Sequence, residues 1–176
     1  MRVVAGEARG RKIVAPAGAG TRPTSDRVRE SIFNMLFSLD AVEHSTVLDL
    51  YAGCGALGIE ALSRGARFCT FVENNRRAVR CIDENLEGLG YADKSTVVES
   101  DVEPWLERLA HHYDLVLADP PYSDEGWIGL LDLVDSKWLV LETDRALPEH
   151  ELWDVAREKS YGTTVVTVLR RRGAPR

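Results

Sequence analysis

Residues 47–58 read Val-Leu-Asp-Leu-Tyr-Ala-Gly-Cys-Gly-Ala-Leu-Gly, and the reading of this stretch decides the fold. Val47 to Leu50 is a short apolar run of the kind that forms a buried strand. Gly53, Gly55 and Gly58 follow with G-x-G-x-x-G spacing, and Ile59 to Ser63 reads as a helix that stops at Gly65. A strand, a glycine turn and a helix N-terminus set unpaired backbone N–H groups beside a cleft at the strand's carboxyl edge. Glycine permits positive φ there and lets a ligand approach the chain closely.

Downstream of this unit strands and helices alternate. Strands are expected at Phe68–Val72, Thr96–Glu99, Leu115–Ala118 and Trp138–Leu141. Helices are expected at about Arg76–Leu86, closed by Gly88 and Gly90, after Pro104, and around Trp127–Val134. Alternating β/α units imply a doubly wound, mostly parallel sheet. Leu152–Lys159, Gly162 and Val165–Leu169 read instead as an antiparallel hairpin that closes one edge. Upstream, Arg2–Ala5 and Lys12–Ala15 flank Gly6-Glu7-Ala8-Arg9-Gly10-Arg11, a β-hairpin with a basic tip, and Pro16–Gly20 is a linker. Val28, Ile32, Met35, Leu36 and Leu39 fall at helical spacing in the helix that follows. The organisation expected is an arm and linker over residues 1–22 and a Rossmann-like α/β domain over 23–176.

Composition narrows the classes. Hydrophobic residues make up 44% of the 176-residue chain, enough for a sizeable core. No apolar run approaches the roughly 20 residues of a membrane span, and no signal-peptide core follows Met1. Cys54, Cys69 and Cys81 lack metal or disulfide spacing, so a reducing cytoplasm and no metal are expected. The four histidines sit in polar stretches and read as surface residues. Net charge is −6, yet residues 1–29 alone carry +5. An acidic body with a basic N-terminal segment points to one localised polyanion contact. Arg9, Arg11, Lys12 and Arg22 are its candidates, with the hairpin tip expected near the active edge.

Ligands of such sheets lie beyond the carboxyl ends of the strands. Asp49, Glu73, Asp101 and Asp119 end the first four strands. Asp49 repels a pyrophosphate and attracts an ammonium group, which fits S-adenosylmethionine and not a nicotinamide dinucleotide. Glu73 lies 20 residues past Gly53, the spacing of an acid that binds ribose hydroxyls. Asp101 fits equally an adenine amino group and the N-cap of the helix containing Pro104. Asp119-Pro120-Pro121-Tyr122 offers a carboxylate, two stiffly held carbonyls without N–H groups, and a flat ring for base stacking. Acceptors on both N–H groups of an exocyclic amine favour a pyramidal nitrogen whose lone pair can attack a methyl group.

Asp49…Gly53-Cys54-Gly55 followed by Asp119-Pro120-Pro121-Tyr122 resembles a class I S-adenosylmethionine-dependent methyltransferase acting on exocyclic amines. Arg-Val-Val-Ala-Gly-Glu-Ala-Arg-Gly-Arg-Lys at residues 2–12 and Thr-Arg-Pro-Thr-Ser-Asp-Arg-Val-Arg-Glu-Ser-Ile-Phe-Asn at 21–34 resemble the RsmD family. The resemblance implies methylation of guanine N2 in 16S ribosomal RNA, free or in the assembling small subunit, by a monomer. It implies cofactor contacts from Asp49, Gly53, Gly55, Gly58, Glu73, Asn74 and Asp101, and catalysis by Asp119, Pro120, Pro121 and Tyr122. Cys54 stands where Ser or Thr is expected, and a thiol is a weak donor. The same DPPY chemistry suits an adenine-N6 methyltransferase on DNA or RNA. A non-catalytic RNA-binding module would not need both motifs intact.

Overall fold

The inner parallel strands of the central sheet are apolar runs because helices cover both of their faces. The computed structural model describes residues 1–15, 26–120 and 127–174. In chain order the elements are α1 (Asp26–Phe37), β1 (Thr46–Leu50), α2 (Ala56–Ser63), β2 (Phe68–Glu73), α3 (Arg76–Leu89) and β3 (Ser95–Glu99). There follow α4 (Val102–Leu106), β4 (Tyr113–Ala118), α5 (Trp127–Leu133), β5 (Ser136–Thr143), β6 (Trp153–Tyr161) and β7 (Thr164–Arg171). The sheet runs β3-β2-β1-β4-β5-β7-β6. The first five strands are parallel, and β7 is antiparallel to both β5 and β6. Strand order reverses between β1 and β4, which puts the cleft of a doubly wound sheet at their carboxyl ends.

Alternation along the strands divides the core in two. Val47, Phe71, Leu115, Leu117 and Val140 face α1, α2 and α3. Leu48, Leu50, Val72, Val116 and Leu139 face α4 and α5. Gly90, at φ 80°, ends α3, and Asn75 caps its start by accepting from the N–H groups of Arg77 and Ala78. Gly88, expected to help close α3, lies inside it.

The N-terminal hairpin is part of the first core. Arg2 pairs with Lys12, and Val3, Ala8 and Ile13 are buried beside α1 and α2. Gly6 turns at φ 82°, and a Cβ there would lie 1.8 Å from the carbonyl oxygen of Ser63. The amides of Val4 and Ala5 donate to the two oxygens of Glu60 at 2.8 and 3.0 Å. Glu60 sits on α2 with a fully buried side chain, 3.4 Å from Nε of the equally buried Arg29 and 2.8 Å from Nε of Arg64. Arg29 extends from α1 to the carbonyl of Arg2 and to Asp26. One carboxylate thus joins the arm, α1 and α2. Glu60→Ala leaves the buried Arg29 with only the exposed Asp26 as a counter-charge and leaves two arm amides without acceptors. The expected loss is about 3–5 kcal/mol of unfolding free energy, the range for breaking a buried pair from one side, read by urea denaturation.

Candidate active site

The carboxyl ends of β1 to β4 gather the acids singled out in the sequence. Asp49 is 1% exposed, and its Oδ2 accepts the N–H of Gly58 at 2.8 Å. Burial pushes its carboxyl well above the usual range. The Gly58 hydrogen bond opposes that shift, and the charges of Asp119 and Glu73 add to it. Glu73 accepts from Gly53 N–H through Oε2 and from Asn75 N–H through Oε1, both at 2.8 Å. Gly55 N–H donates to the Ala52 carbonyl at 2.7 Å. The amides of all three glycines are therefore held by the chain itself, and unpaired donors at this turn are not those of its glycines. Gly58 answers a packing demand as well, since a Cβ there would lie 2.3 Å from the Phe71 ring.

On the adjoining side, Asn74 Nδ2 donates to Asp101 Oδ1 at 2.8 Å. Asp101 occupies the N-cap position of α4 without making a side-chain capping bond. Its side chain thus lines the cleft and does not cap the helix. Asn74 and Asp101, with Asn75, Glu99 and Ser100, line an open cleft beyond β2 and β3. Asp119 is half-buried directly after β4 and Pro120 is buried. Pro121, Tyr122 and Arg22 lie outside the described residues. Burial pushes the Cys54 thiol up, with Asp49 adding to the shift, so Cys54 is a neutral thiol at pH 7.

The donor set fits a cationic cofactor. Asp49 shares its edge with the charges of Glu73 and Asp119, an arrangement that a positive ligand relieves and a pyrophosphate aggravates. S-adenosylmethionine carries both an ammonium and a sulfonium group. Asp49 and Glu73 would hold its charged end and ribose, and Asn74 and Asp101 would meet its base.

Two features had no signal in the sequence. Tyr51 adopts φ 56°, a left-handed conformation uncommon outside glycine. Its hydroxyl donates to Glu103 Oε1 at 2.6 Å, tying the end of β1 to the first turn of α4. The second feature is the seat of the arm. The guanidinium of Arg11 donates to the carbonyls of Gly88 and Leu89 at the C-terminus of α3. Arg9 and Lys12 are exposed. α3 runs antiparallel to the strands, so its C-terminus lies at the sheet end opposite the cleft. The tip expected near the active edge is instead about 20 Å from it, the length of a 14-residue helix. His44, His111 and His112 are exposed as expected, whereas His150 is half-buried, with Nε2 3.3 Å from Asp132. Among the described residues no group of His, Cys, Asp and Glu could hold a metal, and no helix is long and apolar enough to cross a membrane.

The reversed strand order, the glycine turn and the row of acids define a class I methyltransferase fold. A solved structure of an Escherichia coli protein shares it with a TM-score of 0.85 and 31% identity, over 97% of each chain. The family model described as conserved hypothetical protein 95 matches residues 1–170. Ribosomal RNA small subunit methyltransferase D of Escherichia coli K12 is 33% identical over 97% of this chain and 90% of its own length. YlbH of Bacillus subtilis is 36% identical over 98% of this chain and its own full length. The chain belongs to the RsmD family of methyltransferases.

The state of Asp49 sets a pH dependence. Unfolded, it ionises near its ordinary value of about 3.9; folded, it keeps its proton to higher pH. The folded form binds more protons between those values, so stability conferred by the neutral carboxyl is lost as pH rises through the folded pKa. Asp49→Asn retains an acceptor for Gly58 and removes the titration. The ligand-free variant is expected to melt at or above the parent temperature at pH 7, with a flatter profile from pH 4 upward. Scanning calorimetry across that range checks it, and a lower melting temperature at pH 7 would show that the ionised carboxylate stabilises the fold.

Proposed function

We propose that this protein transfers a methyl group from S-adenosylmethionine to the exocyclic N2 amine of a guanine in 16S ribosomal RNA of the small subunit. The observation that carries this reading is Asp119 before a buried Pro120 at the end of β4, on the same edge as Asp49, in a chain of the RsmD family. Membership supports the rRNA substrate, because the Escherichia coli relative bears the name of a small-subunit rRNA methyltransferase. Three cysteines without disulfide partners suit a reducing cytoplasm.

When bound, the cofactor would supply an electrophilic methyl group and leave as S-adenosylhomocysteine as its S–CH3 bond breaks, and the methylated nitrogen would lose one proton to the Asp119 carboxylate and on to water. The chain supplies alignment and charge. The Asp119 carboxylate and the Pro120 carbonyl accept the two N–H groups of the guanine amine. As the nitrogen becomes pyramidal and gains positive charge, these hydrogen bonds strengthen, so they favour the transition state over the bound substrate. By its chemistry Tyr122 would offer a flat ring for base stacking, and Pro121 would add a residue of fixed φ without an N–H.

Incubation with methyl-labelled S-adenosylmethionine and small-subunit particles lacking the modification, followed by digestion to nucleosides, tests the reading. N2-methylguanosine is expected. N6-methyladenosine would assign the adenine alternative, and absence of label would defeat the enzyme reading. Asp119→Ala is expected to lower single-turnover methylation by at least about 100-fold, in the range of a lost transition-state hydrogen bond, with cofactor affinity within about twofold of the parent.

For RNA contact, Arg9 and Lys12 are the candidates among the described arm residues, since Arg2 is bonded to the Gly10 carbonyl and Arg11 to the end of α3. Replacing Arg9 and Lys12 by Ala is expected to weaken RNA binding and reduce its salt slope by about 0.7 per lost single-strand phosphate contact. Titrations at several salt concentrations read the slope. Arg11→Ala is expected to lower the melting temperature instead.

A further inference from the structure

Asn85, one turn from the end of α3, is 4% exposed and its amide group joins three segments. Its Oδ1 accepts the N–H of Val14 at 2.8 Å. Its Nδ2 donates to the Val14 carbonyl at 2.9 Å and to the Cys54 carbonyl at 3.1 Å. A carboxamide that meets both polar groups of one residue reproduces a rung of a β-ladder. Cys81, four residues earlier on the same helix face, donates its thiol to the same Val14 carbonyl at 2.9 Å.

The Cys54 end of this link lies in the cofactor turn. The peptide between Cys54 and Gly55 is gripped on both sides, by Asn85 at its carbonyl and by the Ala52 carbonyl at its N–H. The plane of that peptide fixes how Gly53 and Gly55, both at positive φ, present the turn. The Val14 end lies at the close of the described arm, residues 1–15. A shift of Val14 changes what Asn85 can offer Cys54, because one Nδ2 serves both carbonyls.

We propose that Asn85 is a positioning residue that couples the seating of the N-terminal arm to the conformation of the cofactor turn, so that arm and cofactor bind cooperatively. The proposal rests on the methyltransferase reading for the ligand, though not for the contact. Coupling of this kind is reciprocal: whatever steadies the arm tightens cofactor binding, and cofactor steadies the arm to the same extent.

The test is a double-mutant cycle read by calorimetry with S-adenosylhomocysteine, alongside amide hydrogen exchange at Val14 and at residues 54–56. Asn85→Ala is expected to raise the dissociation constant about tenfold. Cys81→Ala removes the thiol donor to Val14 and the 3.8 Å contact of Asn85 Nδ2 with Cys81 Sγ, leaves the Asn85 hydrogen bond to Cys54 in place, and is expected to raise the dissociation constant about threefold. In the double variant the Cys81 change is expected to add nothing, the signature of one pathway. Ligand is expected to slow exchange at Val14 in the parent and not in Asn85→Ala. Parent affinity in an Asn85→Ala protein that melts lower would reduce the residue to a structural contact, and additive losses would break the coupling. If the parent binds no S-adenosylhomocysteine, the methyltransferase reading fails by itself. The coupling then stands or falls on whether Cys81→Ala quickens exchange at residues 54–56.

Discussion

The buried carboxylate of Glu60 is the constraint on which the rest of the structure depends. An ionised carboxylate out of water is tolerated only with opposing charge and donors on its oxygens. Here Arg29 and Arg64 supply the charge, and the amides of Val4 and Ala5 supply the donors. Those amides face a helix, where no neighbouring strand can pair with them. The acid on α2 therefore substitutes for a missing strand, and the arm cannot leave without stranding both partners. Because α2 begins at the glycine turn, the interaction that seats the arm also anchors the helix that starts there.

A second tension operates at that near end. Asp49 is held where burial and the charges of Asp119 and Glu73 all disfavour its ionised form. A fold selected for stability alone would place an amide or an apolar residue there. The acid makes sense when a cationic ligand completes the site, and the same carboxyl meanwhile fixes Gly58. Glu73 works similarly, its two oxygens spent on the amides of Gly53 and Asn75. The turn is thus shaped by its own acids before a ligand arrives, which lowers the ordering cost of binding.

Much of the fold was legible because its signals are local. Apolar runs of five to eight residues between glycines gave β1 to β5, within two residues at each end. Gly90 ends α3 through a cap that depends only on neighbouring residues. The acids at the strand ends were legible for the same reason, since the last residues of a parallel strand must face the cleft. What could not be read was polar burial across the chain. Glu60 in Ile59-Glu60-Ala61 looks like any solvated helix residue, and Arg29 counted only as part of a basic segment. Asn85 lies in the polar run Asp83-Glu84-Asn85, and nothing local shows that it faces Val14, 71 residues away. The left-handed Tyr51 lacked a signal because its partner, Glu103, lies 52 residues on.

The location of the arm constrains any substrate that touches it. Parallel strands and their return helices run in opposite directions, so the C-terminus of α3 and the catalytic edge are opposite ends of the molecule. Arg11 belongs to the first by its bonds to Gly88 and Leu89, and Asp119 belongs to the second. A nucleic acid that reaches both Arg9 and Asp119 must span about 20 Å along the helix layer. A single nucleotide or a short loop cannot do so, and a folded RNA presenting its target base at a distance from its backbone contact can. Along that path α3 exposes Arg76, Arg77 and Arg80 toward its start and Asp83, Glu84 and Glu87 toward its end, so charge of both signs lines it. Under the proposed function, selection for a folded RNA would follow from the separation of the two contacts rather than from the strength of either.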